Sequence, residues 1–131
     1  MLMAGDILVD TSVAIDYLKG DLAAARVLEN SSGLFAPSIV LGELLHGAKR
    51  SDRPTEHTAR VEVFASKVAV LPVDLETAYH YSDIKNSLLR KGRPIPDNDM
   101  WIAAVARQHQ LTVVTRDSHF GEISGIGLLS W

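Results

Sequence analysis

The sequence predicts an α/β fold in which a parallel sheet is covered by helices on both faces, and three features lead there. Short apolar runs such as Ile7-Leu8-Val9 and Thr112-Val113-Val114 are rich in β-branched residues and have the length of buried strands. They alternate with longer segments whose apolar residues recur at helical spacing. The chain shows no internal repeat and no low-complexity tract that would interrupt this alternation. Strands linked through helices return parallel to their neighbours, and helices then fall on both sheet faces.

The elements follow in order. Ile7 to Val9 is the first strand, and Asp10-Thr11-Ser12 directly after it reads as a helix start. Val13, Ala14, Tyr17 and Leu18 continue that helix to Gly20, and Leu22 to Leu28 forms a second one ending near Ser31-Ser32-Gly33. Leu34 to Ala36 is a short strand. Pro37-Ser38 opens a helix whose apolar arc is Val40, Leu41, Leu44, Leu45 and Ala48, broken by Ser51-Asp52-Arg53-Pro54. A modest helix covers Thr55 to Lys67, and Val68 to Val73 is the third strand, interrupted at Pro72. Asp74 caps a helix carrying Leu75, Ala78, Tyr79, Ile84, Leu88 and Leu89 that ends at Gly92-Arg93-Pro94. After Ile95-Pro96-Asp97-Asn98, a helix with Trp101, Ile102, Ala103, Val105 and Ala106 runs to His109. Thr112 to Val114 is a fourth strand and Gly127 to Leu129 a short fifth.

At 131 residues the chain is expected to form one domain over its whole length, large enough to bury roughly two thirds of its unfolded surface. It has no cysteine, which excludes disulfides, thiol catalysis and thiolate metal sites and suits a reducing cytoplasm. No signal segment or membrane-length apolar run is present, so a soluble cytoplasmic protein is expected. The net charge of −3 does not favour nucleic acid globally, so any such contact must be local. Lys85, Arg90, Lys91 and Arg93 form an acid-free stretch that fits either an RNA-backbone contact or a solvated helix end complementing the helix dipole.

In open parallel sheets, ligand sites lie beyond the carboxyl ends of the strands. Asp10 follows the first strand and Asp117 follows the fourth after Thr115-Arg116, so both project from one sheet edge. Asp99 lies near the start of its helix, where free amides and the positive dipole end tolerate an acid. Each of these three also fits a turn or capping role. Glu43 borders the apolar arc of its helix with no lysine or arginine in the preceding two turns, so it needs a partner: a metal, or solvent reached over Gly42 and Gly47. Acids converging from distant positions repel one another unless a cation neutralises them. Mg²⁺ or Mn²⁺ suits oxygen ligands and leaves room for phosphate oxygens. His46, His57, His80, His109 and His119 include no pair at helical ligand spacing, which disfavours zinc; they read as surface or capping groups, with His119 the one beside an acid.

Val9-Asp10-Thr11-Ser12, Leu41-Gly42-Glu43-Leu44, Asn98-Asp99-Met100-Trp101-Ile102-Ala103-Ala104 and Val114-Thr115-Arg116-Asp117, in this order, resemble the acidic motifs of VapC-type PIN domains, and Ser118-His119-Phe120 through Gly125 resembles that family's closing segment. The resemblance spans nearly the whole chain. It implies a three-layer α/β/α sandwich with a mostly parallel five-stranded sheet, a metal-dependent endoribonuclease acting as the toxin of a type II toxin–antitoxin pair, a homodimer, and a VapB-type antitoxin as partner. Asp10, Glu43, Asp99 and Asp117 match the acidic quartet. Asp97, two residues before Asp99, competes for the third place, but Asp99 has the family's offset to Met100-Trp101-Ile102-Ala103-Ala104.

On this reading Asp10 and Asp99 bind the principal Mg²⁺, while Glu43 and Asp117 complete the cluster, orient the attacking water or help hold a second ion. Thr11, Ser12 and Thr115 are candidates for orienting these carboxylates. An aspartyl-phosphate phosphatase would need a second acid two residues after Asp10, where Ser12 stands. A metal-dependent DNA nuclease shares the chemistry but needs further elements to grip duplex DNA. A non-catalytic acidic module docking a basic partner is the remaining alternative.

Overall fold

The computed structural model describes residues 5–130. The elements are β1 (Asp6–Val9), α1 (Thr11–Leu18), α2 (Leu22–Glu29), β2 (Gly33–Pro37), α3 (Ser38–Lys49), α4 (Pro54–Ser66), β3 (Ala69–Leu71), α5 (Leu75–Lys91), α6 (Asp97–His109), β4 (Thr112–Val114), a 3-10 turn (Ser118–Glu122) and β5 (Gly127–Leu129). The sheet has the order β3-β2-β1-β4-β5, and every adjacent pair is parallel.

The central strand explains its own sequence. Ile7, Leu8 and Val9 are fully buried because β1 has neighbours on both edges and helices on both faces, so its apolar run does not alternate with polar residues. The edge strand β3 is shorter than the sequence expectation of Val68 to Val73. It lies largely exposed at the rim, and Pro72, lacking an N–H, stops the ladder there. The 3-10 turn has no apolar period of its own and is not legible as an element in the sequence.

Helix α6 is enclosed by α5, α3 and the sheet, and Ile102, Ala103, Ala104, Val105 and Ala106 are all fully buried. Three alanines in this run let the helix axis approach closely, which brings its N-terminal turn near the ends of the central strands. Its outer side meets α5, where the Tyr81 and Trp101 rings stack with centroids 3.8 Å apart. Helix α5 is closed at both ends: Asp74 and Thr77 form a reciprocal capping box, and Gly92 takes a left-handed conformation at φ 66° that a residue with a Cβ adopts only at a cost.

Chain order places the site. From β1 the chain winds outward through β2 to β3, then returns across the sheet to lay β4 against the other edge of β1. The connections after β1 and β4 therefore diverge, leaving a crevice between their carboxyl ends. Asp10 terminates β1, and Thr115-Arg116-Asp117 follows β4, at this point.

Candidate active site

Asp10 is the N-cap of α1: its Oδ1 accepts the Val13 amide at 2.9 Å. The capping and site readings of this residue thus coincide, since the cap uses one oxygen. The other, Oδ2, accepts the hydroxyl of Thr115 across the β1–β4 junction. Thr115 Oγ in turn accepts the Asp117 amide at 2.9 Å, so one buried threonine orients both acids. Asp10 is only 3% exposed, and that burial raises its pKa against the lowering effect of the Thr115 and Val13 hydrogen bonds, with the Asp117 and Asp16 charges raising it further.

Asp99 stands in the first turn of α6. Burial first, and then the charges of Asp117, Asp10 and Glu43, together push its pKa up to about 6 against the opposing effect of His119. All four acids of the quartet therefore act on one spot although they come from β1, α3, α6 and the end of β4. Asp97 does not compete for it. Its carboxylate faces α5, accepting the Tyr81 hydroxyl at 2.9 Å and the Lys85 ammonium at 3.4 Å, and these partners lower its pKa.

Glu43 has a protein partner beside the metal or solvent that the sequence suggests, and it is one of the candidate orienting residues. Thr11 on α1 donates a 2.6 Å hydrogen bond to its Oε1, a contact between residues 32 apart that the spacing within α3 could not reveal. Thr11 and Thr115 thus each hold an acid, whereas Ser12 is exposed on the first turn of α1. Asp117 caps the 3-10 turn through the His119 amide at 2.9 Å, and the His119 Nδ1 lies 3.2 Å from the same carboxylate. Asp99, Asp117 and His119 each offer one ligand atom, and the three atoms lie within 4.8 Å of one another.

Among the described residues, no lysine or arginine forms an ion pair with Asp10, Glu43, Asp99 or Asp117. Arg116, although between Thr115 and Asp117 in sequence, reaches Asp16 at 2.9 Å and Asp21 at 3.2 Å, tying the loop after β4 to the end of α1 and the cap of α2. This clamp has no sequence signal, because its partners are about a hundred residues away. Four carboxylates sharing a half-buried crevice with one histidine and no lysine or arginine paired to them fit a divalent cation.

The basic stretch is not one face. At about 100° per residue, Lys85, Arg90 and Lys91 radiate around α5. Lys85 is engaged with Tyr81 and Asp97, beside the start of α6, and the Lys91 ammonium donates to the Glu122 carbonyl at 3.0 Å. Arg90 and Arg93 are exposed. Next to the acids, α1, α3 and α4 enclose a mostly apolar groove of about 270 Å³, walled by Ile15, Leu18, Leu44, Ala48 and Val61 with Glu43 on its lining. His57 also lines this groove, and His46 lies with Glu43 and Asn98 in a neighbouring hollow.

Residues 7–126 match the family model described as PIN domain. The tRNA(fMet)-specific endonuclease VapC of Shigella flexneri is 32% identical over 127 residues, covering 95% of this chain and 96% of that protein. The protein of the same description from Salmonella typhimurium is 35% identical over 127 residues, with 95% and 96% covered. Among solved structures, DNA-bound VapBC from Salmonella typhimurium superposes with a TM-score of 0.88 at 34% identity, covering 99% of each chain.

Proposed function

Since the chain belongs to the PIN-domain family, in its VapC group, we propose that it is the toxin of a type II toxin–antitoxin pair and hydrolyses RNA phosphodiester bonds at the acidic crevice with Mg²⁺, or Mn²⁺, as its ion. The observation that carries this reading is the convergence of Asp10, Glu43, Asp99 and Asp117 at the strand ends, strong enough to help raise the Asp99 pKa to about 6. Asp10 and Asp99 would hold the ion, with Asp117 and Glu43 completing its surroundings. A bound ion supplies positive charge to the phosphoryl oxygens and makes water a better nucleophile.

The protein's own groups do the positioning. Thr115 fixes the Asp10 carboxylate and the backbone at Asp117 together, so two acids keep their spacing when RNA enters. Glu43, held by Thr11, takes the proton released as water attacks phosphorus. The P–O bond to the leaving oxygen breaks as the new one forms, and that oxygen takes a proton from solvent, giving a phosphate monoester on one RNA end and a hydroxyl on the other. Of the basic stretch, the exposed Arg90 and Arg93 contact the RNA backbone, whereas Lys85 and Lys91 are tied to Asp97 and to the Glu122 carbonyl.

The partner is a VapB-type antitoxin. An apolar helix laid in the groove between α1, α3 and α4 would pass beside Glu43, from where an arginine or lysine can enter the crevice and take the place of the cation. The protein acts in the cytoplasm as a homodimer, a state that sedimentation as a monomer in the ultracentrifuge would overturn. No described helix is long and apolar enough to cross a membrane.

Cleavage of purified RNA by the purified protein, titrated with Mg²⁺, tests the activity, with tRNA(fMet) as the first substrate because it appears in the descriptions of the two relatives above. Activity that survives both EDTA and Asp99→Asn would overturn the reading.

A further inference from the structure

We infer that His119 is an imidazole ligand of the ion in the acidic crevice, so that the site binds Mn²⁺ in preference to Mg²⁺. This rests on the metal-site reading above and deepens it. The quartet on its own is an all-oxygen site, the kind Mg²⁺ prefers. The structure adds a nitrogen to it.

Three observations support this. The ligand atoms of Asp99, Asp117 and His119 lie within 4.8 Å of one another, and ligand atoms around a six-coordinate ion with bonds of about 2.1 Å are about 3 Å apart in adjacent positions and about 4.2 Å apart in opposite ones. A small closure on binding suffices. The imidazole is also tethered: the Asp117 carboxylate accepts the His119 amide at 2.9 Å and stands 3.2 Å from Nδ1, so ring and carboxylate move as a unit on the 3-10 turn. A histidine whose ring is steered by a carboxylate is the usual arrangement of imidazole ligands. Finally, the His119 side chain remains 54% exposed, so no packing has to break for the ring to reach an ion.

The chemistry then sets the preference. Nitrogen ligands favour first-row transition ions over Mg²⁺, which gives up its waters reluctantly and gains little from imidazole. His46, which lines the hollow with Glu43 and Asn98, lies outside the three-atom cluster and serves as the control.

The test uses the full chain with Mn²⁺ as probe, read by electron spin echo envelope modulation, which detects a directly bound ¹⁴N, and by Mn²⁺ binding with Mg²⁺ as competitor. The expected result is nitrogen modulation in the parent and in His46→Ala, and its loss in His119→Ala. The same loss is expected in His119→Gln, which keeps a donor toward Asp117 without an aromatic nitrogen. Mn²⁺ affinity should fall about tenfold or more in both His119 variants while Mg²⁺ affinity stays within about twofold. Mn²⁺ bound without nitrogen modulation, or modulation persisting in the His119 variants, overturns this inference and leaves the carboxylate site standing. Failure of the parent to bind either ion would overturn the metal-site reading as well.

Discussion

Replacing Asp99 by asparagine separates the electrostatics of the crevice from its chemistry. The Asp99 pKa is raised from 3.8 to about 6, chiefly by burial and then by the Asp117, Asp10 and Glu43 charges. A raised carboxyl pKa means that the folded state holds the proton more tightly than the unfolded state. The neutral form therefore suffers no penalty below pH 4, and stability is lost as the pH rises toward and through 6. A rise of two pKa units corresponds to about 3 kcal/mol, and water in the partly open crevice screens this to about 1–2 kcal/mol. The asparagine side chain keeps the shape and removes the charge, so metal-free Asp99→Asn protein at pH 7.5 should gain that amount, or about 4–7 °C in melting temperature for a chain of this size. The gain should shrink to about half at pH 5 and to about a fifth close to pH 4. Saturating Mg²⁺ should reverse the order, because only the parent gains the full stabilisation of ion binding to the native state. Melts in EDTA at three pH values, repeated with Mg²⁺ beside an RNA cleavage assay, check each step. A variant that is less stable than the parent in EDTA, or a difference that does not change with pH, would refute the argument and make Asp99 a structural residue of the α6 N-terminus.

Thr115→Val should destabilise the metal-free protein by about 1–2 kcal/mol, since the buried Asp10 loses its hydroxyl donor. The same variant should weaken Mg²⁺ binding by about tenfold or more, as measured by calorimetry. Arg90→Ala with Arg93→Ala should weaken RNA binding, flatten its dependence on salt and leave Mg²⁺ affinity unchanged; binding that is unaltered at low and high salt would return both residues to a merely solvated role. Ile15→Asp places a charge in the apolar groove at a position already 38% exposed, so it should abolish antitoxin binding in a pull-down while RNA cleavage persists.

Most elements are legible in the sequence because their signals are local. Asp74, Gly92 and the β-branched runs mark ends and strands through contacts within a few residues, and each α-helix and strand begins within a residue or two of its sequence expectation. The strand ends of β1 and β4 likewise point to Asp10 and Asp117 once the parallel topology is inferred. What stays hidden depends on pairs distant in sequence. Arg116 on Asp16 and Asp21, Asp97 on Tyr81, and the choice of Glu43 as the acid that Thr11 holds are fixed by packing between elements, which periodicity within one element does not encode; Asp99 itself is singled out only by its offset to the run that follows it. His119 is marked in the sequence only by Asp117 two residues before it; its approach to Asp99, twenty residues earlier on another element, is fixed by packing.

The hydrogen bond from Thr115 to Asp10 closes a separation of 105 residues, and it can form only after β4 has seated against β1. Asp10 and Asp117, the first and last acids of the quartet, lie on either side of that gap, so neither half of the chain holds the whole crevice. A chain that stops before Thr115 lacks both the threonine that orients Asp10 and Asp117, the acid that follows it. Long-range pairing of this kind also folds slowly. The same topology that assembles the crevice thus makes it one of the last parts of the fold to form, after strands distant in sequence have met.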